Sequence, residues 1–99
     1  MIGYLSAMHY LLFYETAERY VERRQPYRAE HLGLALAARE RGELLMGGAF
    51  DPADGALLLF TTQESARAFA QADPYVANGL VTRWYTKKWV EVVADYPTE

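Results

Sequence analysis

The sequence predicts an α+β fold with the element order β-α-β-β-α-β, a four-stranded antiparallel sheet carrying two helices on one face. Three observations lead there. Four runs of aliphatic and aromatic residues have strand length. The stretches between the first and second runs, and between the third and fourth, carry helix start and stop residues. The third run, residues 56–60, is apolar at every position, as expected of a strand covered on both faces.

Residues 8–15 (MHYLLFYE) form the first predicted strand, with Met8, Tyr10, Leu12 and Tyr14 on one side and Leu11 and Phe13 on the other. Residues 16–25 read as a polar connection or a preliminary turn. Pro26 suits the first turn of a helix, Glu30 follows closely and Gly42 lies just past its end, so the first helix is predicted over 26–41. At about 100° per residue its apolar arc holds Leu36, Leu32, Ala35, His31, Ala38, Tyr27 and Leu34. His31 thus lies inside the arc. Ala35 and Ala38 beside it are small, which either leaves open volume next to the imidazole or lets helix and sheet pack closely.

Residues 43–50 read as the second strand, in which Gly47-Gly48 marks a bulge or a close approach of backbone or ligand. Residues 51–55 (DPADG) form a turn before the third strand, 56–60. Thr61 and Glu64 make a capping box that opens the second helix, which runs to Asp73. Ala66, Phe69 and Ala70 precede Asp73 at helical spacing, so its carboxylate falls on the stripe this helix must bury, and Pro74 ends the helix there. A carboxylate aimed inward needs a hydrogen-bonding or charged partner. The last strand, 80–93, contains Trp84, Tyr85 and Trp89, is longer than most strands, and is expected to bend or bulge near Lys87-Lys88. The order and the sticky, helix-free sheet face suggest a ferredoxin-like protomer whose open face is covered by a second copy.

Composition narrows the function classes. With 99 residues, 52% hydrophobic and 14% aromatic, the chain reads as one domain over 1–99 with a core of about 8–93. Its apolar runs fall far short of the roughly 20 residues that span a bilayer, so no membrane association is expected. The absence of cysteine and of a secretory pattern in residues 1–7 makes a cytoplasmic location the expectation. A net charge of −3 and a pI near 5.3 argue against nucleic acid. Arg19, Arg23, Arg24 and Arg28 are the local exception, either a solvated segment interleaved with Glu18 and Glu22 or an anion-attracting rim. His9 has no obvious partner and reads as structural or surface. No second His or Cys stands at a ligating distance in sequence from His31, so neither a metal nor a cofactor is expected.

Three stretches together carry a resemblance: Arg28-Ala29-Glu30-His31-Leu32, Gly48-Ala49-Phe50 with the turn after it, and Asp73-Pro74-Tyr75-Val76-Ala77-Asn78-Gly79-Leu80. They resemble the YciI-like (YCII-related) family of small dimeric α+β barrel proteins, over nearly all of residues 8–93. The resemblance implies a ferredoxin-like protomer, a homodimer with facing sheets, and a pocket with a paired histidine and aspartate, which by motif are His31 and Asp73. The chain departs from the family in having Lys88 before Trp89, where a proline is frequent, and in the extra residues 1–7 and 94–99. Most of the family has no established reaction, and one member eliminates chloride from a chlorinated ring lactone.

A histidine bonded to a carboxylate has one nitrogen fixed as donor and the other free to take a proton. No Ser, Cys or Lys is tied to this pair by any motif, so the expected chemistry is proton abstraction next to a carbonyl, as in a lyase or isomerase acting on a small carboxylate or lactone-like molecule. Tyr75 is a candidate to hold or polarise substrate, the backbone N–H near Gly48 to face an oxyanion, and Arg28 to orient a carboxylate. The alternative is a non-catalytic dimer that binds a ligand or partner, with the His-Asp pair as a satisfied polar contact between helices. In the catalytic reading, His31 and Asp73 meet at one end of the sheet beside a cavity floored by Gly48 and flanked by Tyr75.

Overall fold

β1 (Met8–Thr16) is the spine of the sheet, because its alternation gives it an apolar side chain for each face. In the computed structural model, which describes residues 8–95, it pairs antiparallel with both β3 (Gly55–Phe60) and β4 (Val81–Val90). β2 (Leu44–Ala49) adds to the far side of β3, giving the order β2-β3-β1-β4. Register places Leu12 opposite Leu58 and Thr86, and Tyr14 opposite Ala56 and Trp84. Of the segments 1–7 and 94–99, read from sequence as additions to the core, residues 1–7 and 96–99 lie outside the described residues.

The helices are α1 (Tyr20–Arg23), α2 (Arg28–Glu40), α3 (Gln63–Ala72) and α4 (Pro74–Ala77). Leu12, Tyr14, Leu58 and Phe60 from one face of the sheet join Phe69 and Tyr75 in a single buried cluster. This is the predicted four-stranded antiparallel α+β arrangement. The connection over 16–25 is more ordered than its polarity suggested: α1 and a 3₁₀ turn at Gln25–Tyr27 precede α2. Among the described residues no helix is long and apolar enough to cross a membrane.

Four local expectations are corrected. The cap of α3 is Thr62, whose side chain accepts from the Ser65 N–H, not Thr61 with Glu64. Thr61, just past β3, is tied to the start of β2, its N–H donating to the Glu43 carbonyl at 2.9 Å, so the first residue free to cap is the next one. The irregularity in β2 falls between Leu44 and Met46, ahead of the glycine pair, which stays in register with Leu57 and Leu58. β4 runs straight through Lys87 and Lys88, opposite Leu11 and Tyr10, and its register shifts instead between Glu15 and Thr16. Finally, Leu36 is 65% exposed and Leu32 41%. β2 is an edge strand, so the buried side of α2 is the side of His31, Leu34, Ala35 and Ala38, and the two leucines project past it.

His9 has a partner after all. It is buried on the strand end with its Nδ1 against Glu91 Oε2, eighty-two residues away in sequence.

Because Thr62 satisfies an otherwise unpaired N–H, Thr62→Ala is expected to cost about 1 kcal/mol. Thr61→Ala removes only a 3.5 Å contact to a carbonyl and is expected to stay within about 0.5 kcal/mol. Urea melts of the two variants check the order, and an equal or reversed cost contradicts the cap assignment.

Candidate active site

Pro74 sets the geometry of the site. It forces the preceding residue out of helical conformation, and Asp73 sits at φ −73°, ψ 122° between α3 and α4. There its Oδ1 caps α4 by accepting from the Tyr75 N–H at 3.0 Å. Its Oδ2 accepts from the Tyr14 hydroxyl at 2.7 Å. His31 Nδ1 lies 2.9 Å from Oδ1 and 3.0 Å from Oδ2. The carboxylate is fully buried, and β1, α2 and α4 each send it a donor.

These contacts fix the imidazole. Both carboxylate oxygens act as acceptors, so the proton shared with Asp73 belongs on Nδ1. Among the described residues nothing bonds Nε2. The ring stacks on Tyr75 with centroids 3.9 Å apart and planes 5° from parallel, and meets Phe69 edge-on at 6.1 Å. Orientation is therefore held by a bidentate acceptor on one edge and an aromatic plane on one face.

His31 opens onto a cavity of about 300 Å³ whose polar lining also includes Tyr14, Tyr20, Arg24, Arg28 and Tyr75. Among the described residues no group of three His, Cys, Asp or Glu side chains is arranged to hold a metal. Burial, then the neighbouring Asp73 carboxylate, pushes the Tyr14 phenol far above its ordinary pKa, so it remains a donor. The Tyr75 phenol is also raised, by burial first and then by Tyr20, while a hydrogen bond from Arg28, looser than ordinary geometry, and then the positive charges of Arg28 and Arg24 oppose the rise.

Each residue singled out in the sequence has a definite place. His31 and Asp73 meet, although Asp73 stands behind the imidazole, away from the cavity. Tyr75 lies under the imidazole as a stacking plane. Arg28 lines the cavity, as do both Gly47 and Gly48. The two glycines face opposite ways: a Cβ at Gly47 would come 3.2 Å from Leu58 Cγ on the helix side, whereas one at Gly48 meets nothing within 4 Å. Gly47 thus keeps the floor low. Sequence reasoning passed over Tyr14 and Tyr20 as site residues and reached Arg24 only as part of a possible anion-attracting rim. Tyr14 had been placed on the same side of β1 as Leu12, which gives its face and not its acceptor, and Arg24 ends α1, outside the helix that carries His31.

With this geometry established, comparison with other proteins is informative. The model of the YCII-related domain matches residues 8–90, and the chain belongs to that family. No curated protein matches its sequence. Among solved structures it is similar to the 5-chloro-2-hydroxyhydroquinone dehydrochlorinase of Burkholderia phenoliruptrix AC1100, determined in complex with 2,5-dihydroxybenzoquinone. That match has TM-score 0.67 and 17% identity, over 82% of this chain and 92% of that one. A protein of unknown function from Nitrosomonas europaea matches with TM-score 0.54 and 19% identity, over 93% of this chain and 95% of its own. A Mycobacterium tuberculosis protein matches with TM-score 0.53 and 10% identity, over 89% and 97% respectively. At these identities the likeness is one of fold.

Tyr14→Phe is expected to destabilise by about 1–3 kcal/mol at neutral pH, since Asp73 loses one of three donors. It also changes the alkaline limb. An unfolded tyrosine ionises near 10.0 while folded Tyr14 holds its proton to higher pH, so its contribution is complete below pH 10.0 and declines as pH rises above it. Stability of the parent chain should therefore fall more steeply above that pH than that of the variant, by up to about 1.4 kcal/mol per pH unit. Denaturant melts between pH 8 and 11 read the difference, and parallel slopes contradict it.

Proposed function

We propose that this protein is a small-molecule lyase or isomerase in which His31 is the general base and Asp73 orients and supports it. The observation that carries the reading is an imidazole whose Nδ1 is committed to a fully buried carboxylate while its other edge opens on a cavity. In the proposed step, Nε2 takes a proton from a carbon next to a carbonyl, and the C–H electron pair becomes an enolate. A leaving group on the adjacent carbon then departs with its pair, or the proton returns at another carbon. The imidazolium formed faces Asp73. Tyr75 holds the ring, and Arg28 orients an acidic substituent. The YCII-related dehydrochlorinase fold lends support at the level of architecture. A cytoplasmic setting belongs to the same proposal and fits a chain without cysteine.

Substitution at Asp73 tests the dyad sharply. In Asp73→Asn the amide oxygen can still accept from the Tyr75 N–H, and the amide nitrogen then faces Tyr14 and His31, both able to accept. The fold survives, but Nδ1 becomes the acceptor and Nε2 carries the proton, which abolishes the base. Chloride release from 5-chloro-2-hydroxyhydroquinone and from a chlorinated ring lactone is the assay. Both His31→Ala and Asp73→Asn are expected to lower kcat/KM by about 10²–10⁴-fold. Small carboxylates that bind more tightly as pH falls, with no turnover at any pH, would instead establish a binding protein.

We further propose a homodimer through facing sheets. The helix-free face presents a groove of about 400 Å³ lined by Leu11, Met46, Phe50, Leu57, Leu59 and Trp89, and of these Met46, Phe50 and Trp89 are large hydrophobics left exposed. Light scattering at micromolar concentration is expected to give twice the chain mass. A monomer, or a dimer unaffected by Leu59→Glu, removes the proposal.

A further inference from the structure

The cavity beside His31 is divided by the order of the strands. Its polar side comes from β1, α1, α4 and the first turn of α2, and carries Tyr14, Tyr20, Arg28 and Tyr75. Its apolar side comes from β2, β3 and the next turn of α2, where Ala35 follows His31 by one turn. Cross-strand register runs Tyr14–Ala56–Ala49 from the central strand to the edge, and Leu12–Leu58–Gly47 in the row beside it. With strands about 4.8 Å apart, the floor spans roughly 10 Å from Tyr14 to Ala49.

Gly47 owes its identity to this space and not to its backbone. Gly79 adopts a positive φ of 76°, and a Cβ at Gly55 would lie 2.7 Å from the Tyr14 carbonyl oxygen, so both have a reason inside the chain. The backbone at Gly47 is ordinary strand. A Cβ there would meet the Leu58 side chain at 3.2 Å, a contact that a small shift of a flexible side chain relieves. Glycine in a strand interior costs stability, and the close approach of a ligand is one physical reason for it. The side chains around it are small as well, Ala35 from the helix and Ala49 and Ala56 from the sheet, while Leu44 and Leu58, 5% and 6% exposed, bound the space.

We infer that Gly47 is a specificity-determining residue, whose missing side chain opens an apolar compartment for a short unbranched hydrocarbon arm of the substrate. This rests on the proposed reading of the cavity as the ligand site but not on turnover. The arm is attached close to the carbon that faces His31, because Ala35 lies one helical turn, about 5.4 Å, from that residue. The substrate class is thereby narrowed from any small acid or carbonyl compound to one that carries such an arm, its polar end toward β1 and its apolar end toward β2. Burial of the arm adds affinity without any further polar contact.

Titrations of the full chain with straight-chain carboxylates from acetate to hexanoate, followed by protein NMR, test this without turnover. In the parent, affinity is expected to rise about 4-fold with each added methylene until the compartment is full. Gly47→Ala should cost the long acids selectively, pentanoate by about 10-fold and acetate by about 2-fold or less. Ala49→Val narrows the same space without replacing a glycine and places a β-branched residue in a strand, so it carries the test should Gly47→Ala fail to fold. It should show the same selective loss. A length dependence unchanged in both variants, a parent whose affinity does not rise from acetate to hexanoate, or equal weakening of every acid would each overturn the compartment and leave the cavity a ligand site. No binding of any acid at millimolar concentration would remove the compartment and the ligand-site reading together.

Discussion

The burial of the Asp73 carboxylate is the constraint on which the rest of this structure depends. A carboxylate with no exposed surface is tolerable only if its oxygens are matched by donors, and here the donors come from three separate elements. Tyr14 binds it to the central strand, His31 to α2, and the Tyr75 N–H to the start of α4. Each bond is short-ranged and directional, so together they set how both long helices lie on the sheet. The rotation of α2 follows from this. With His31 turned toward Asp73, Leu32 and Leu36 must point past the edge strand, although a hydrophobic pattern alone would bury them.

The same arrangement separates structural from chemical roles within one cluster. Tyr14 and the Tyr75 N–H satisfy Asp73 whether or not the imidazole is present, so the carboxylate does not need His31 in order to stay buried and bonded. Conversely, the imidazole needs Asp73 for its tautomer and Tyr75 for its plane. That one-way dependence is what the proposed base would require: the supporting groups are over-determined and the Nε2 edge is left open. A purely structural pair would be expected to close both edges of the ring with protein.

Much of this was legible in the sequence because a few residues have strong local consequences. Pro74 alone places Asp73 outside the helix, and the spacing from Ala66, Phe69 and Ala70 aims it inward. Gly42, with φ of 79°, marks the end of α2 because few other residues adopt that conformation. What was not legible depends on pairing across the sheet. Whether Thr61 or Thr62 caps α3 is decided by a bond from Thr61 to Glu43, the residue just before β2. The partner of His9 is Glu91, at the far end of the chain. Tyr14 looked like a core aromatic because its alternation said only which face it joined, and its hydroxyl's acceptor belongs to another element. Local chemistry thus predicted where groups point, and long-range register decided what they meet.

The edge strand β2 ties the two sides of the sheet together. Gly47, Gly48 and Ala49 line both the cavity beside His31 and the apolar groove on the opposite face. With almost no side chains to thicken it, this strand is the thinnest wall between them. The two glycines divide the work by parity: the hydrogen of Gly47 faces Leu58 and keeps room in the cavity, and that of Gly48 faces outward, where the described chain puts nothing. Packed interiors transmit displacement because they have few voids to absorb it. In the proposed dimer the copy covering the groove would bear directly on the cavity floor, and a side chain at Gly48 would be felt on that face before it was felt in the cavity. A side chain at Gly47 would do the reverse. The two glycines are thus separable by the face on which a substitution is felt.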